Sequence, residues 1–295
     1  MKLAVTGRDG QVARALAEVA AAAGITLIPL ARPEVDLTRP ETIAPALHAA
    51  GVDAVISAAA FTAVDAAESD ADAAFAINEG GARAVALAAA DLNIPVLHLS
   101  TDYVFDGSGD TPWREGDATG PLGVYGASKL AGERAVAAAT DNHAILRTAW
   151  VYSPFGANFV KTMLRVGADR DELKVVDDQI GHPTSAHHIA AALIGIARNL
   201  TTSPDPALRG TFHMVAEGTT SWAGFARETF VEASRHGFSA PRVTGIPTSE
   251  YPTPAARPGN SQLDTTKLSQ AHGITLPRWQ DGTAEVVTRL MEDRT

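Results

Sequence analysis

Thr6-Gly7-Arg8-Asp9-Gly10-Gln11-Val12-Ala13 is the stretch on which the fold turns. It stands directly after a β-rich run at residues 3–6 and directly before an Ala-rich helical run at 11–23 that stops at Gly24. Glycines at such a junction allow a tight turn and let backbone N–H groups approach a pyrophosphate at the helix N-terminus, while Ala13 lets the helix lie close on a sheet. Alone, the turn serves equally as a plain structural connection, so its meaning depends on the rest of the chain.

Outward from it, strand-like runs at 26–31, 54–57 and 96–100 alternate with helical stretches of crossover length, the second of them entered by Thr38 as cap with Pro40 and Glu41 following. Alternation of this kind implies right-handed βαβ units and a parallel sheet. After a further strand at 144–148, Pro and Gly become frequent and the alternation weakens, with strands expected at 174–177 and 211–215 and helices at 185–200 and 221–236. Residues 247–258 hold four prolines in twelve positions, an irregular loop and a candidate lid. The expected fold is α/β: a Rossmann-type, doubly wound parallel sheet over residues 1–151. A smaller C-terminal α/β substrate domain follows over 152–295, with segments near 173–190 and 210–216 crossing back.

Composition narrows the function. The chain of 295 residues is 45% hydrophobic and 20% charged, enough for a sizeable core. Its 24 Lys and Arg against 34 Asp and Glu leave a formal charge of −10, which speaks against a nucleic-acid polymer as partner. No cysteine is present, which excludes thiolate chemistry, Cys-ligated zinc and disulfides and suits a reducing cytoplasm. The N-terminus reads as a strand rather than a signal peptide, and no apolar stretch is long enough to span a bilayer. His187 and His188 are adjacent rather than four apart, so no zinc site is expected and they read as exposed helix-start residues.

An acid that would hold an NAD ribose is missing at the end of the second strand, where Leu30-Ala31-Arg32 stands. Arg32 can pair with a 2′-phosphate, which favours NADPH with NADH still possible, or it is a loop arginine. Asp36 and Leu37 border an adenine, or Asp36 shapes the turn before Thr38.

Tyr125-Gly126-Ala127-Ser128-Lys129 puts a phenol and an ammonium one turn apart at the start of a helix. A free tyrosine, with pKa near about 10, is a poor proton relay at neutral pH unless a cation stabilises its anion, and Lys129 can supply that charge. Ser100 and Thr101 close the fourth strand at the edge where open α/β sheets bind ligands, so either hydroxyl could orient a substrate carbonyl. Trp113, Trp222 and Trp279 read as core or rim.

With these motifs in order, the chain resembles the extended short-chain dehydrogenase/reductases, and among them the reductases of dTDP-linked 4-keto sugars. The resemblance runs through 57–68, Ile77-Asn78, 100–107, 124–133, 147–152, Asp177-Asp178-Gln179, Gly181, Pro183-Thr184 and Arg257-Pro258-Gly259-Asn260-Ser261. It implies that Gly7, Gly10, Gln11, Val12, Asp36, Leu37, Ala60, Phe61, Thr62 and Leu99 line the cofactor, with Tyr125 and Lys129 touching it. It also implies that Thr101, rather than Ser100, joins Tyr125 and Lys129 in catalysis. Asp102 and Trp150 then lie at a dTDP-sugar, with Arg257 and Asn260 as further substrate candidates or loop anchors. Relatives that dimerise through magnesium use a carboxylate on the first helix, whereas residues 11–17 carry none, and His187 stands where a glutamate would be wanted. No metal is therefore expected, and the chain would be a monomer or a dimer joined without one. Another sugar-nucleotide 4-ketoreductase or epimerase, or a regulatory subunit that binds nucleotide without chemistry, are the alternatives.

Overall fold

The computed structural model describes residues 1–293. Six strands form one sheet: β1 (Lys2–Thr6), β2 (Thr26–Leu30), β3 (Ala54–Ser57), β4 (Val96–Thr101), β5 (His143–Thr148) and β6 (Gly210–His213). Their order is β6-β5-β4-β3-β1-β2 and every pairing is parallel. The order reverses between β1 and β3, and in sheets of this kind the crevice beyond the strand C-termini at such a point takes ligands.

Alternation inside the strands builds the two faces. Leu3 and Val5 of β1, Ile56, Leu97 and Leu146 pack beneath α1 (Gln11–Ala22) and α5 (Ala186–Thr202) through Leu16, Ile189 and Leu193. Ala4, Val55, Val96 and Ile145 point the other way, against Ile43 and Leu47 of α2 (Ile43–Ala50), Val85 and Ala89 of α3 (Ala82–Asp91) and Val136 of α4 (Val124–Ala139). All residues of β3, β4 and β5 are buried, as strands covered on both faces must be. Each buried Leu or Ile side chain contributes about 1.5–3 kcal/mol. Edge strand β2 is more open and carries Pro29, whose missing N–H an edge tolerates.

The second helix does not start as the sequence suggested. Thr38 donates its hydroxyl to Asp36 Oδ1 (2.8 Å), which also accepts from Thr38 N (2.9 Å), and a 3₁₀ turn at Pro40–Thr42 leads into α2. The short Asx turn competes successfully for the cap side chain.

In the second half, residues 173–190 divide. Strand Glu172–Val176 pairs in parallel with Arg242–Ile246 in a separate small sheet. Helix α5 instead lies along α1, and β6 extends the large sheet beside β5. Helices Phe159–Gly167, Trp222–Ser234 and Trp279–Glu292 enclose a further core of Tyr152, Val160, Phe225 and Val286. Residues 247–258 hold only one 3₁₀ turn, Thr248–Glu250. Among the described residues, no helix is long and apolar enough to cross a membrane.

Candidate active site

A cleft of about 790 Å³ runs along the C-terminal ends of β1, β2, β3, β4 and β5, from the glycine turn to Trp150 and Trp222. Its first half is mostly backbone. Gly7 adopts φ +87°, a left-handed conformation that disfavours any side chain, and its N–H donates to Leu30 O at 2.7 Å. Gly10 has open space where a Cβ would stand. Thr6 Oγ1 accepts from Ala58 N (2.9 Å) and Ala59 N (3.0 Å), fixing the loop after β3 against the turn. Gly7, Gly10, Gln11, Val12, Arg32, Asp36, Leu37, Ala60, Thr62 and Leu99 all reach this wall.

Phe61 does not. Its N–H donates to Asn78 Oδ1 (2.8 Å) and its carbonyl accepts from Asn78 Nδ2 (3.1 Å), so it is a loop residue clamped from behind. Asn78 also donates to Ser128 Oγ (2.9 Å), which donates to Tyr125 O (2.8 Å). Gln11 Oε1 accepts from Ser153 Oγ (2.7 Å) and Asn158 Nδ2 (3.0 Å), tying the turn to the segment after β5. Arg8, which the sequence reading passed over, lies on the wall with Arg32 and donates from Nη2 to Arg32 O (2.7 Å). The hydrogen bonds from Thr38, and beyond them the field of Arg32, hold the Asp36 carboxyl below its usual range.

The second half is side-chain chemistry. Lys129 is buried, and its ammonium donates to Leu99 O at 2.6 Å. Burial lowers its pKa to about 8, against the opposing pull of Glu133. Burial raises Tyr125 to about 12, although a hydrogen bond with Thr101 works the other way. That direction is the reverse of the lowering the Tyr-Lys spacing suggested, because desolvation, with the Asp102 carboxylate adding to it, outweighs the Thr101 hydrogen bond. Thr101 Oγ1 donates to Asp102 Oδ1 (3.0 Å) and accepts from Tyr103 N (3.2 Å). Ser100 turns inward: its hydroxyl donates to Glu133 Oε1 (2.5 Å), and Arg147 grips the same carboxylate, Nε donating to Oε1 (2.9 Å) and Nη2 to Oε2 (2.7 Å). Of the two candidate hydroxyls, only that of Thr101 remains for the cleft.

Asp102 is 3% exposed, and burial raises it to about 6 in spite of Ser261 and Thr101 hydroxyls beside it. Asp102 Oδ2 and Thr148 Oγ1, both on residues of the cleft wall, are buried without a hydrogen-bond partner of good geometry. Orphaned polar atoms at the wall suit a polar occupant, and with the backbone-lined first half they make the cleft fit a dinucleotide and a second polar ligand.

Trp150 takes φ +47°, rare for a bulky residue and costly by about 1–3 kcal/mol. Its ring stacks on Trp222 with centroids 3.6 Å apart. Trp222 Nε1 donates to Gln179 Oε1 (3.1 Å), and both indoles border the cleft. Trp222 was missed as a site residue. The Ser221 cap marks it as the first residue of its helix but says nothing of what that position faces.

Arg257 and Asn260 are not brought to the cleft wall. The Arg257 guanidinium pairs with Asp65 Oδ2 at 2.8 Å. Asn260 is 4% exposed; its amide donates to Thr111 O (2.8 Å) and its oxygen accepts from Gln262 N (3.0 Å), which makes it a loop anchor. The paired histidines are not free either. His187 meets Glu18 Oε2 (2.9 Å), a carboxylate that Arg289 also holds at 2.8 and 2.9 Å, and His188 meets Glu285 (3.2 Å). Glu18 lies on α1, just beyond the 11–17 stretch that carries no acid.

A family model described as the RmlD substrate binding domain matches residues 1–292. The chain is 49% identical over 291 residues, 99% of its length and 98% of the relative's, to a Sinorhizobium fredii protein named dTDP-4-dehydrorhamnose reductase. A solved structure of a dTDP-4-dehydrorhamnose reductase from Clostridium acetobutylicum is similar at TM-score 0.91 and 36% identity, covering 98% of this chain and 99% of that one. Another, from Bacillus anthracis in complex with NADP, is similar at TM-score 0.90 and 32% identity with the same coverage.

Proposed function

This chain belongs to the family of the RmlD substrate binding domain, and from that premise we propose that it is an NADPH-dependent oxidoreductase reducing the C4 ketone of dTDP-4-dehydro-β-L-rhamnose to dTDP-L-rhamnose. The observation that carries the reading is the meeting of Thr101, Tyr125 and Lys129 at the end of β4, on the wall of the cleft that begins at the glycine turn.

When bound, NADPH supplies the hydride that arrives at C4. Tyr125, kept protonated at neutral pH, donates its phenolic proton to the oxygen of that carbon. Lys129, charged below about pH 8, favours the tyrosinate left behind and is anchored for this by Leu99 O. Thr101 rotates its proton from Asp102 toward the substrate carbonyl and so orients it against Tyr125. The glycine turn offers N–H groups to the pyrophosphate, Arg32 and Arg8 offer cations to a 2′-phosphate, and Asp102, Trp150 and Trp222 border the sugar nucleotide.

The same reading takes residues 1–151 as the cofactor domain and the later part, apart from α5 and β6, as the substrate domain. It takes the cytoplasm as the compartment, which the absence of cysteine suits. It takes the dTDP-sugar as the partner rather than nucleic acid or membrane, and a monomer or a metal-free dimer as the assembly. The test is NADPH absorbance after addition of dTDP-4-dehydro-β-L-rhamnose, with the product identified. Oxidation yielding dTDP-L-rhamnose is expected; binding of NADPH without turnover, or another deoxysugar as product, would overturn the reading.

A further inference from the structure

A short turn of helix, Val64–Ala67, follows the loop at Ala60 to Thr62, and two carboxylates three residues apart, Asp65 within it and Glu68 at its C-cap, reach in different directions. Asp65 reaches the proline-rich loop of the second half. Its Oδ1 accepts from Ala255 N (3.2 Å), its Oδ2 pairs with Arg257 Nη2 (2.8 Å), and Arg257 Nη1 donates back to Ala255 O (3.3 Å), closing a ring of contacts. Glu68 reaches the catalytic helix. Its Oε1 accepts from Val124 N at 2.8 Å, one residue before Tyr125.

Helix α4 needs that bond. Gly123 at its N-cap has no side chain to offer, and no acidic residue stands in the first turn. Glu68 supplies both the missing acceptor and a negative charge at the positive end of the helix. Its carboxylate lies against Gly123 so closely that a Cβ there would collide with it. On the other side the backbone of Tyr103 presses on Gly126, and the Tyr103 ring meets Tyr125 edge-on at 5.5 Å. The phenol is thus set between a wall at Tyr103 and a tether at Glu68.

We propose that Asp65 and Glu68 are positioning residues that form one bracket, tying the seat of the 253–257 loop to the placement of the Tyr125 phenol. The inference rests on the assignment of Tyr125 as proton donor. A loop held away from Asp65 frees the turn that carries Glu68, and the start of α4 loses its fixed end. The seated loop holds the turn and keeps Tyr125 in line with the C4 oxygen. Loop seating and proton donation become a single event.

The test uses the full chain with NADPH and dTDP-4-dehydro-β-L-rhamnose. Glu68→Ala should lower kcat about tenfold to a hundredfold, the scale of a reacting group displaced by an ångström or less, with NADPH affinity unchanged. Glu68→Gln, which keeps an acceptor oxygen for Val124 N, should restore most of that loss. Glu68 is exposed, so its truncation leaves the core intact. Asp65→Ala should raise KM for the sugar nucleotide and lower kcat as well. In Asp65→Ala/Glu68→Ala the fall in kcat should match the worse single variant, because the two act through one element. Losses that multiply in the double variant, or wild-type kcat in Glu68→Ala, would overturn the bracket. Tyr125→Phe, run alongside, separates the two claims: inactive Tyr125→Phe with fully active Glu68→Ala defeats the bracket alone, whereas active Tyr125→Phe defeats the proton donor and the bracket together.

Discussion

The two halves of the cleft are built on opposite plans. The half proposed for the dinucleotide is centred on one turn, where Gly7, Gly10, Gln11 and Val12 nearly follow one another and the shape is set by backbone, with Gly7 at φ +87°. The half proposed for the sugar nucleotide is assembled from afar, with Asp102 after β4, Trp150 after β5 and Trp222 some seventy residues later, the two indoles stacked at 3.6 Å. A backbone site follows wherever the strand-turn-helix forms. A side-chain site depends on packing among segments distant in sequence, and so can be altered without disturbing the first.

Changes at the join should show the largest effects and touch both halves. Lys129→Met should cost on the order of 10³ in kcat and also weaken NADPH binding, since the proposal sets this ammonium beside the proton donor and the resemblance implies that it touches the cofactor. The wild-type pH profile sharpens this. With Lys129 depressed to about 8 by burial, the charged form is lost as pH rises through that value, so kcat/KM should fall on the alkaline side. The variant should lack that limb; a limb at the same pH in Lys129→Met would assign it to another group.

Asp102 tests the cost of a sugar-half carboxylate. Its pKa is raised from 3.8 to about 6, so the folded state holds its proton more tightly than the unfolded chain, and stability drops as pH climbs from about 4 to above 6. Asp102→Asn keeps an acceptor for Thr101 and removes that drop. It should gain up to about 3 kcal/mol relative to wild type between pH 4 and pH 8, read as Tm, while losing turnover. An unchanged pH dependence of Tm would refute the buried charge.

Smaller effects should stay within one half. Trp222→Ala removes half of the indole stack and should raise KM for the sugar nucleotide roughly tenfold, with the Kd for NADPH unaltered. Arg32→Ala should do the converse, weakening NADPH by about tenfold and NADH hardly at all, since only the former carries a phosphate for it. Equal losses for both cofactors would make Arg32 a plain loop residue.

The same contrast explains what the sequence disclosed. The parallel sheet, the glycine turn and the Tyr125–Lys129 pair were readable because each is a contiguous pattern with its own period or spacing. Phe61 looked like a wall residue, yet its backbone N–H and carbonyl are both taken by Asn78, 17 residues on. Arg257 and Asn260 sit in a run that carries the resemblance, yet Asp65 and Thr111 claim their side chains across the fold. Trp222 gave no signal, for an indole at a helix start is as fit for a core as for a cleft. The strand Arg242–Ile246 escaped notice because Gly245 interrupts its β-rich run and its partner lies some seventy residues earlier. The raised pKa of Tyr125 was unreadable too, since spacing displays the charge of Lys129 but not the burial of the phenol.

The central claim is that the two halves meet at one proton donor. Tyr125→Phe tests it most directly, because the substitution removes the phenolic proton and leaves the ring edge-on to Tyr103. With saturating NADPH and dTDP-4-dehydro-β-L-rhamnose, kcat should fall by about 10² to 10⁴ while the Kd for NADPH stays within about twofold. Wild-type turnover in that variant would contradict the claim.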